Sequence, residues 1–494
     1  MNLAKLLADT ASRSPDAVAV TFDGMQITYG ELSRLADRTA AMLSGAGVQR
    51  GDRVAIWLPN HPAFATAMYG AWRIGATVVP LHAALTAPEA KHILTDSAAK
   101  IVFAGKAQWP HTDTLVGEVP SIEHRIPLDP PLDGDASQPV DVPAIVDVTD
   151  DDLALIQYTA GTSGTPKGAM LSHSNLAANI EQMRATPVAI GPDDVVLCVL
   201  PLFHIFGLNV LVNMSVASGA RIVLSERFDP AAAARAVRDE IVTVIAGAPP
   251  VYVSWLSHPE IDDSSFSNVR VAVSGAAPLS KETLAGFRER FDVTIWEGYG
   301  LTETSPTLTT TAIGGVAKPG SVGRTVPNVE LRLVDEDGDD VDEGDPGEII
   351  VRGPNVFSGY WNKPEETAKV IRDGWFYTGD VAVADDDGDL FIVDRRRDMV
   401  IVSGFNVYPR EVEDVLRRHP NVGDVAVVGA PDPQTGERVR AIVVADPPGE
   451  AAATDDLLEF CRRHLAPYKI PKEIEIVAEI PRNAAGKVLR RELR

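Results

Sequence analysis

The chain has 494 residues, 45% of them hydrophobic, and a formal net charge of −24. That length exceeds what a single core supports, so at least two domains are expected. The acidic balance argues against a nucleic-acid partner, whose phosphates need a basic face. Cys198 and Cys461 are the only cysteines and the histidines are scattered with no H-E-x-x-H pattern, which excludes a disulfide scaffold, disfavours zinc, and points to a reducing, cytoplasmic setting.

The amino-terminal stretch "MNLAKLLADTASRSPD" has too short an apolar core for a signal peptide. "AVAVTF" (17–22) reads as a strand, and Thr28 with Glu31 forms a capping-box pattern ahead of a helix. "RVAIWL" (53–58), a helical stretch around 62–74 and "ATVVPL" (76–81) continue an alternation that predicts a layered α/β domain. A Pro- and Asp-rich piece at 128–152 reads as a surface crossing.

Next comes "YTAGTSGTPKGAMLSH" (158–173), whose glycines, hydroxyls and lysine suit a phosphate. It is not the G-x-x-x-x-G-K-[ST] loop, because Lys167 precedes Gly168 and Ala169 replaces the metal-binding hydroxyl. The expected order is strand, loop, strand, with the helix starting only near Ser172 or Ser174, whereas a phosphate loop of that kind leads straight into a helix. The uncharged run from Val195 to Ala220 is long enough to raise a membrane span, but Pro201, His204, Asn209 and Asn213 interrupt it, so a buried strand, turn and helix are expected.

"EGYGLTETSP" (297–306) sets Tyr299 between Gly298 and Gly300, an aromatic face beside bare backbone, with Thr302 and Glu303 as a hydroxyl and a hard oxygen ligand. "WFYTGDVA" (375–382) places Asp380 to accept from sugar hydroxyls. Acidic D-G pieces in "ELRLVDEDGDDV" and "VAVADDDGDLFIVD" lack the spacing of a calcium loop and read as hairpin turns. The last hundred residues carry enough strands and helices for a small α/β domain, and Lys487 stands near the end after Gly486, either a movable charge reaching a site or a solvated tail lysine.

In this order, these motifs resemble the adenylate-forming superfamily of acyl-CoA synthetases, peptide-synthetase adenylation domains and luciferases. "GEIIVRGPNVFSGYW" (347–361), "VDRRRDMVIVSGFNVYPREVE" (393–413) and "PRNAAGKVLRREL" (481–493) extend the match over essentially the whole chain. Among its branches the chain looks most like bacterial fatty-acyl-CoA ligases. The resemblance implies an α/β fold with a large amino-terminal domain (1–397), made of layered α/β subdomains and a β-rich one, and a small mobile carboxy-terminal domain (398–494) hinged at Asp398.

It also implies site roles. Thr159, Gly161, Thr162, Ser163, Gly164, Thr165 and Lys167 would hold the phosphates of ATP. Thr159 and Glu303 would bind Mg²⁺. Tyr299 would lie against adenine beside Gly275, Ala276 and Ala277, Glu297 and Gly298 would belong to the same nucleotide site, Thr302 would contact the α-phosphate, and Asp380 and Arg395 the ribose. Lys487, Glu303 and Thr302 would be catalytic, and Gly404 would line a tunnel for coenzyme A. Phe203, His204, Gly298 and Gly300 would line the acyl pocket, with His204 either a gate or a core histidine. The lysine usual before the hinge aspartate is Arg397, and Ile401 stands where many members carry a lysine.

An α-amino acid is improbable, since no carboxylate stands near Phe203–Phe206 to pair a buried ammonium. The expected reaction joins a carboxylic acid, most simply a medium- or long-chain fatty acid, to AMP and then to coenzyme A. An aryl-acid ligase or an enzyme loading a carrier protein are the alternatives, while a nucleotide sensor and a plain ATPase are further rivals. The expected partners are the small-molecule acid, ATP and coenzyme A, without nucleic acid or a transmembrane segment, leaving room for peripheral membrane contact or a homodimer.

Overall fold

The computed structural model describes residues 1–128, 141–160, 166–277, 279–335, 337–395, 400–407, 409–446, 454–481, 488 and 490–493, with backbone alone at 160, 393–395, 406, 410 and 491. Two sheets form the bulk of the amino-terminal domain. One has six strands in the order His124–Pro127, Ile101–Ala104, Arg53–Trp57, Thr77–Pro80, Leu153–Ala160, Pro166–Ser172, parallel except for the last. The other runs through nine strands, and its centre is the parallel set Val195–Cys198, Val244–Gly247, Val271–Ser274 and Ile295–Gly300.

Between the two sheets lies the main core. Alternate residues of the strands point into it: Val54, Ile56 and Val78 from one sheet, Val196, Val244, Ala246 and Val271 from the other. The opposite face of the nine-stranded sheet, with Leu197, Ile245 and Ala272, packs on outer helices. The helix Pro62–Arg73 is buried on all sides save its last residue, as a sequence apolar all round should be. Thr28 and Glu31 close the expected capping box at the start of Tyr29–Gly45.

The stretch from 195 to 220 becomes a strand, a turn, and the π-helical segment Phe206–Asn213 running into Met214–Ser218. The π turn, which the sequence reading did not anticipate, brings Phe206, Val210 and Met214 onto one side. Its asparagines are satisfied inside the protein: Asn209 donates to the Ser305 carbonyl at 2.7 Å, and Asn213 donates to Asn209 at 2.9 Å. Among the described residues no helix is long and apolar enough to cross a membrane.

A third sheet, carrying Trp375–Ala384 and Leu390–Arg395, follows. Its acidic turns are hairpin turns: Asp335 and Asp385 each accept from backbone amides a few residues on. Asp385, Asp387 and Asp389 form the one carboxylate cluster of metal-binding geometry among the described residues, and Lys318 Nζ already fills it at 2.7–2.8 Å. From Val400 a separate five-stranded sheet with helices Pro409–Leu416 and Thr454–His464 makes the small carboxy-terminal domain around its own core.

Candidate active site

The carboxyl ends of the central parallel strands converge where an open α/β sheet binds ligands. There a cavity of about 220 Å³ is lined by Thr159, Gly275, Ala276, Ala277, Glu297, Gly298, Tyr299, Thr302, Glu303 and Asp380. The structure therefore gathers most of the residues singled out from sequence, although they come from four separate stretches. Close approach explains the glycines. A Cβ on Gly300 would stand 1.9 Å from the Pro306 carbonyl oxygen, and one on Gly298 would stand 3.1 Å from that of Thr309.

Three carboxyl groups, those of Asp380, Glu303 and Glu297, line the cleft. The Tyr299 hydroxyl donates to Asp380 Oδ2 at 2.7 Å, joining two strands that lie in different sheets. Glu303, 5% exposed, receives the Tyr360 hydroxyl on Oε1 at 2.7 Å. Glu297 accepts from the Leu279 amide at 3.1 Å, and burial pushes its carboxyl up to about 7. Thr159 and Glu303 both line the cavity and offer hard oxygens of the kind Mg²⁺ takes.

Other predicted residues sit elsewhere. Lys167 registers opposite Thr159 but is buried in an ion pair with Glu366, its ammonium 5.2 Å from the Tyr360 ring centroid. Phe203, expected in the acyl pocket, lines a second cavity instead: its ring packs 4.2 Å from His82 and its carbonyl accepts from Gln157. Gly161–Thr165, Arg397, Asp398 and Lys487 lie outside the described residues, as does the side chain of Arg395, whose backbone pairs with Asp380.

The second cavity, about 350 Å³, lies between the domains. The amino-terminal domain contributes His82, Glu89 and His92, and the carboxy-terminal domain Phe405, Arg418, Tyr468 and Lys469. Thr159, His204 and Thr302 line both cavities, so the two chambers meet at these three residues. His204 lines both chambers, and burial lowers its imidazole to about 4, leaving it neutral. Gly404, with φ +84°, reaches the first cavity, where a Cβ would lie 3.2 Å from that of Ala248 and 3.8 Å from that of Ala276.

Sequence reasoning missed the groups that hold this interface. His82 is surrounded by Phe203, Phe405 and Tyr468 rings at 4.2–5.0 Å. Lys469 Nζ, 5% exposed, donates to Glu411 at 2.6 Å and to Glu89 at 3.1 Å. No local pattern links residues 380 positions apart; the scarcity of lysine was the one available signal. Both cysteines are buried, their thiols pushed up to about 12 for Cys198 and about 11 for Cys461, so neither is an activated nucleophile.

A cleft with a phosphate-loop strand pair, an aromatic between glycines and buried carboxylates, opening on a second domain, defines a nucleotide-using, acid-activating enzyme of two domains. The AMP-binding enzyme model matches residues 7–361 and the AMP-binding enzyme C-terminal domain model residues 411–487. The chain belongs to the AMP-binding enzyme family and is an AMP-forming acid–thiol ligase. It is 36% identical to a long-chain-fatty-acid–CoA ligase of Bacillus subtilis (strain 168), over 99% of this chain and 94% of the relative. It is 39% identical to a feruloyl-CoA synthase of Amycolatopsis sp, over 98% and 96%. The solved structure of the amide bond synthetase McbA from Marinactinospora thermotolerans superposes with a TM-score of 0.91 at 31% identity, over 100% of this chain and 99% of that one.

Proposed function

We propose that the protein converts a medium- or long-chain fatty acid to its acyl-CoA. The observation that carries this is the inner end of the first cavity. Met183, Val188, Ile190, Val210, Leu211, Met214, Val244 and Val271 line it, with Phe206 on the side of Val210 and Met214, a mostly aliphatic surface that suits an alkyl chain.

In the first step a carboxylate oxygen attacks the α-phosphorus of ATP, the bond to the β-phosphate breaks, and pyrophosphate leaves. Two anions must meet, so positioning and charge neutralisation supply most of the catalysis. Asp380, held by Tyr299, and Arg395 would orient the ribose, and Thr302 would contact the α-phosphate. Gly161–Thr165 and Lys167 would hold the departing phosphates, Lys167 exchanging Glu366 for them. Thr159 and Glu303 would hold Mg²⁺, which would neutralise phosphate charge. Lys487 would bridge the carboxylate and the α-phosphate.

In the second step the deprotonated thiol of coenzyme A attacks the acyl carbon and expels AMP. The interdomain cavity offers the thiol a path to His204 and Thr302. Residues 398–494 would turn about Asp398 between the steps. Gly404 against Ala276 supports reading the present arrangement as the one for transfer.

The test is release of pyrophosphate and AMP with ATP, Mg²⁺ and coenzyme A, without carrier protein, across saturated acids, benzoate, cinnamate and ferulate. Acyl-CoA formation from the aliphatic acids is expected. Turnover of the aryl acids alone would move the protein to the reading suggested by its feruloyl-CoA synthase relative, and adenylate that coenzyme A never discharges would favour a carrier protein. Lys487→Ala should abolish adenylation while sparing transfer from supplied acyl-AMP.

A further inference from the structure

We infer that the inner end of the first cavity is a closed length gauge, fitting acyl chains of about ten carbons and rejecting palmitate. The inference rests on the fatty-acid reading above and adds a chain length to it. Val271 and Val273 of one strand, with Val244 and Ala246 of its parallel neighbour, form one wall, on the face turned to the core. The chamber thus follows the strands backward, from Gly275 at the nucleotide end to Val271 at their starts.

At that far end the segment carrying Val188 and Ile190 lies across the strand starts. Both residues line the cavity and both are buried, at 4% and 7% exposure, so they form its floor at that end. The floor is tied down. Arg270, the residue before Val271, donates to the Ala189 carbonyl at 2.7 Å and through Nε to Asp194 Oδ1 at 2.8 Å. Asp194 also accepts from the Thr243 hydroxyl, one residue before Val244, at 2.7 Å and from the Gly191 amide at 2.7 Å. The loop is therefore fastened to the starts of both wall strands, so a longer chain could not displace it without breaking these bonds.

The depth follows from the register. Gly275 to Val271 is four steps along a parallel strand, about 13 Å at about 3.3 Å per residue. An extended alkyl chain advances about 1.25 Å per carbon, given a bond of about 1.5 Å and a near-tetrahedral angle. The chamber then accommodates about ten carbons before the terminal methyl meets Ile190.

The experiment is kcat/KM for acyl-CoA formation from hexanoate through palmitate, in the wild type, Ile190→Ala and Ala246→Leu, with thermal melts to confirm folding. The wild-type optimum should fall near decanoate, with palmitate at least about tenfold lower, since one ill-fitting methylene already costs about that factor. Ile190→Ala should move the optimum to longer acids, and Ala246→Leu to shorter ones. Palmitate equal to or better than decanoate in the wild type, or an optimum unmoved in folded variants, overturns the gauge while leaving the fatty-acid reading standing. Turnover of aryl acids with none of the saturated series overturns the fatty-acid reading itself. If either variant fails to fold, the wild-type series still decides.

Discussion

Lys469→Met tests what holds the two domains together. Lys469 and Glu411 belong to the carboxy-terminal domain and Glu89 to the helix Ala87–Ser97 of the other, and all three are at most 12% exposed. Removing the ammonium leaves two carboxylates in one buried site. Breaking a buried ion pair in this way costs about 3–5 kcal/mol. Burial already raises the Glu411 carboxyl, so part of that cost would be relieved by uptake of a proton. A net penalty near 3 kcal/mol lowers the population of this domain arrangement about a hundredfold. The penalty acts only while the domains are docked as seen here.

The assay separates the half-reactions: rapid-quench transfer from supplied acyl-AMP to coenzyme A, and pyrophosphate exchange for adenylation. Transfer should fall about a hundredfold in Lys469→Met with exchange little changed. It should recover partly as pH is lowered and the carboxylates take up a proton. The triple variant with Glu89→Gln and Glu411→Gln, which removes the stranded charges, should also restore it. Transfer at the wild-type rate, or equal loss of both half-reactions, would refute the reasoning.

Two further outcomes follow from the cleft. Glu297 has a carboxyl raised by burial to about 7 from an ordinary value of 4.5, so its contribution to stability is complete below pH 4.5 and is lost as pH rises through about 7. That loss amounts to about 3 kcal/mol at most, so Glu297→Gln should flatten the fall in melting temperature between pH 5 and pH 8; an unchanged pH dependence would show that the carboxyl is not buried as described. Tyr299→Phe deletes the bond to buried Asp380, worth about 1.5–3 kcal/mol for a charged acceptor. The KM for ATP should rise at least about tenfold in steady-state assays, and an unchanged KM would mean that Tyr299 does not position Asp380.

Much of the fold was legible because its signals are local. The capping box at Thr28, the alternation of 53–58 and 76–81, and the strand pair Leu153–Ala160 and Pro166–Ser172 each depend on neighbours in sequence. The glycine-lined end of the cleft was legible for a related reason: its residues meet special constraints, such as Gly300 against a carbonyl oxygen, and so leave marks in short motifs. The aliphatic wall left none, since Val244, Val271 and Ile190 look like any core aliphatics until topology brings them to one chamber. Phe203 lines the other cavity because it sits in a turn beyond the strand Val195–Cys198, and its contact with His82 depends on where another strand ends. Lys167 looked like a free charge because Glu366 is 199 positions away.

On the proposed reading, the floor beneath the inner chamber would give the catalytic cycle a direction. A chamber floored at Val188 and Ile190 and entered past His204 and Thr302 would fill from the back. The hydrocarbon tail would settle before ATP closes in behind it. Departure would reverse that order: AMP would leave first and the tail would follow, drawn out by the thiol to which it is by then attached. The fastening of Arg270 to Ala189 and Asp194 would thus make traffic through the enzyme a matter of sequence as well as of fit.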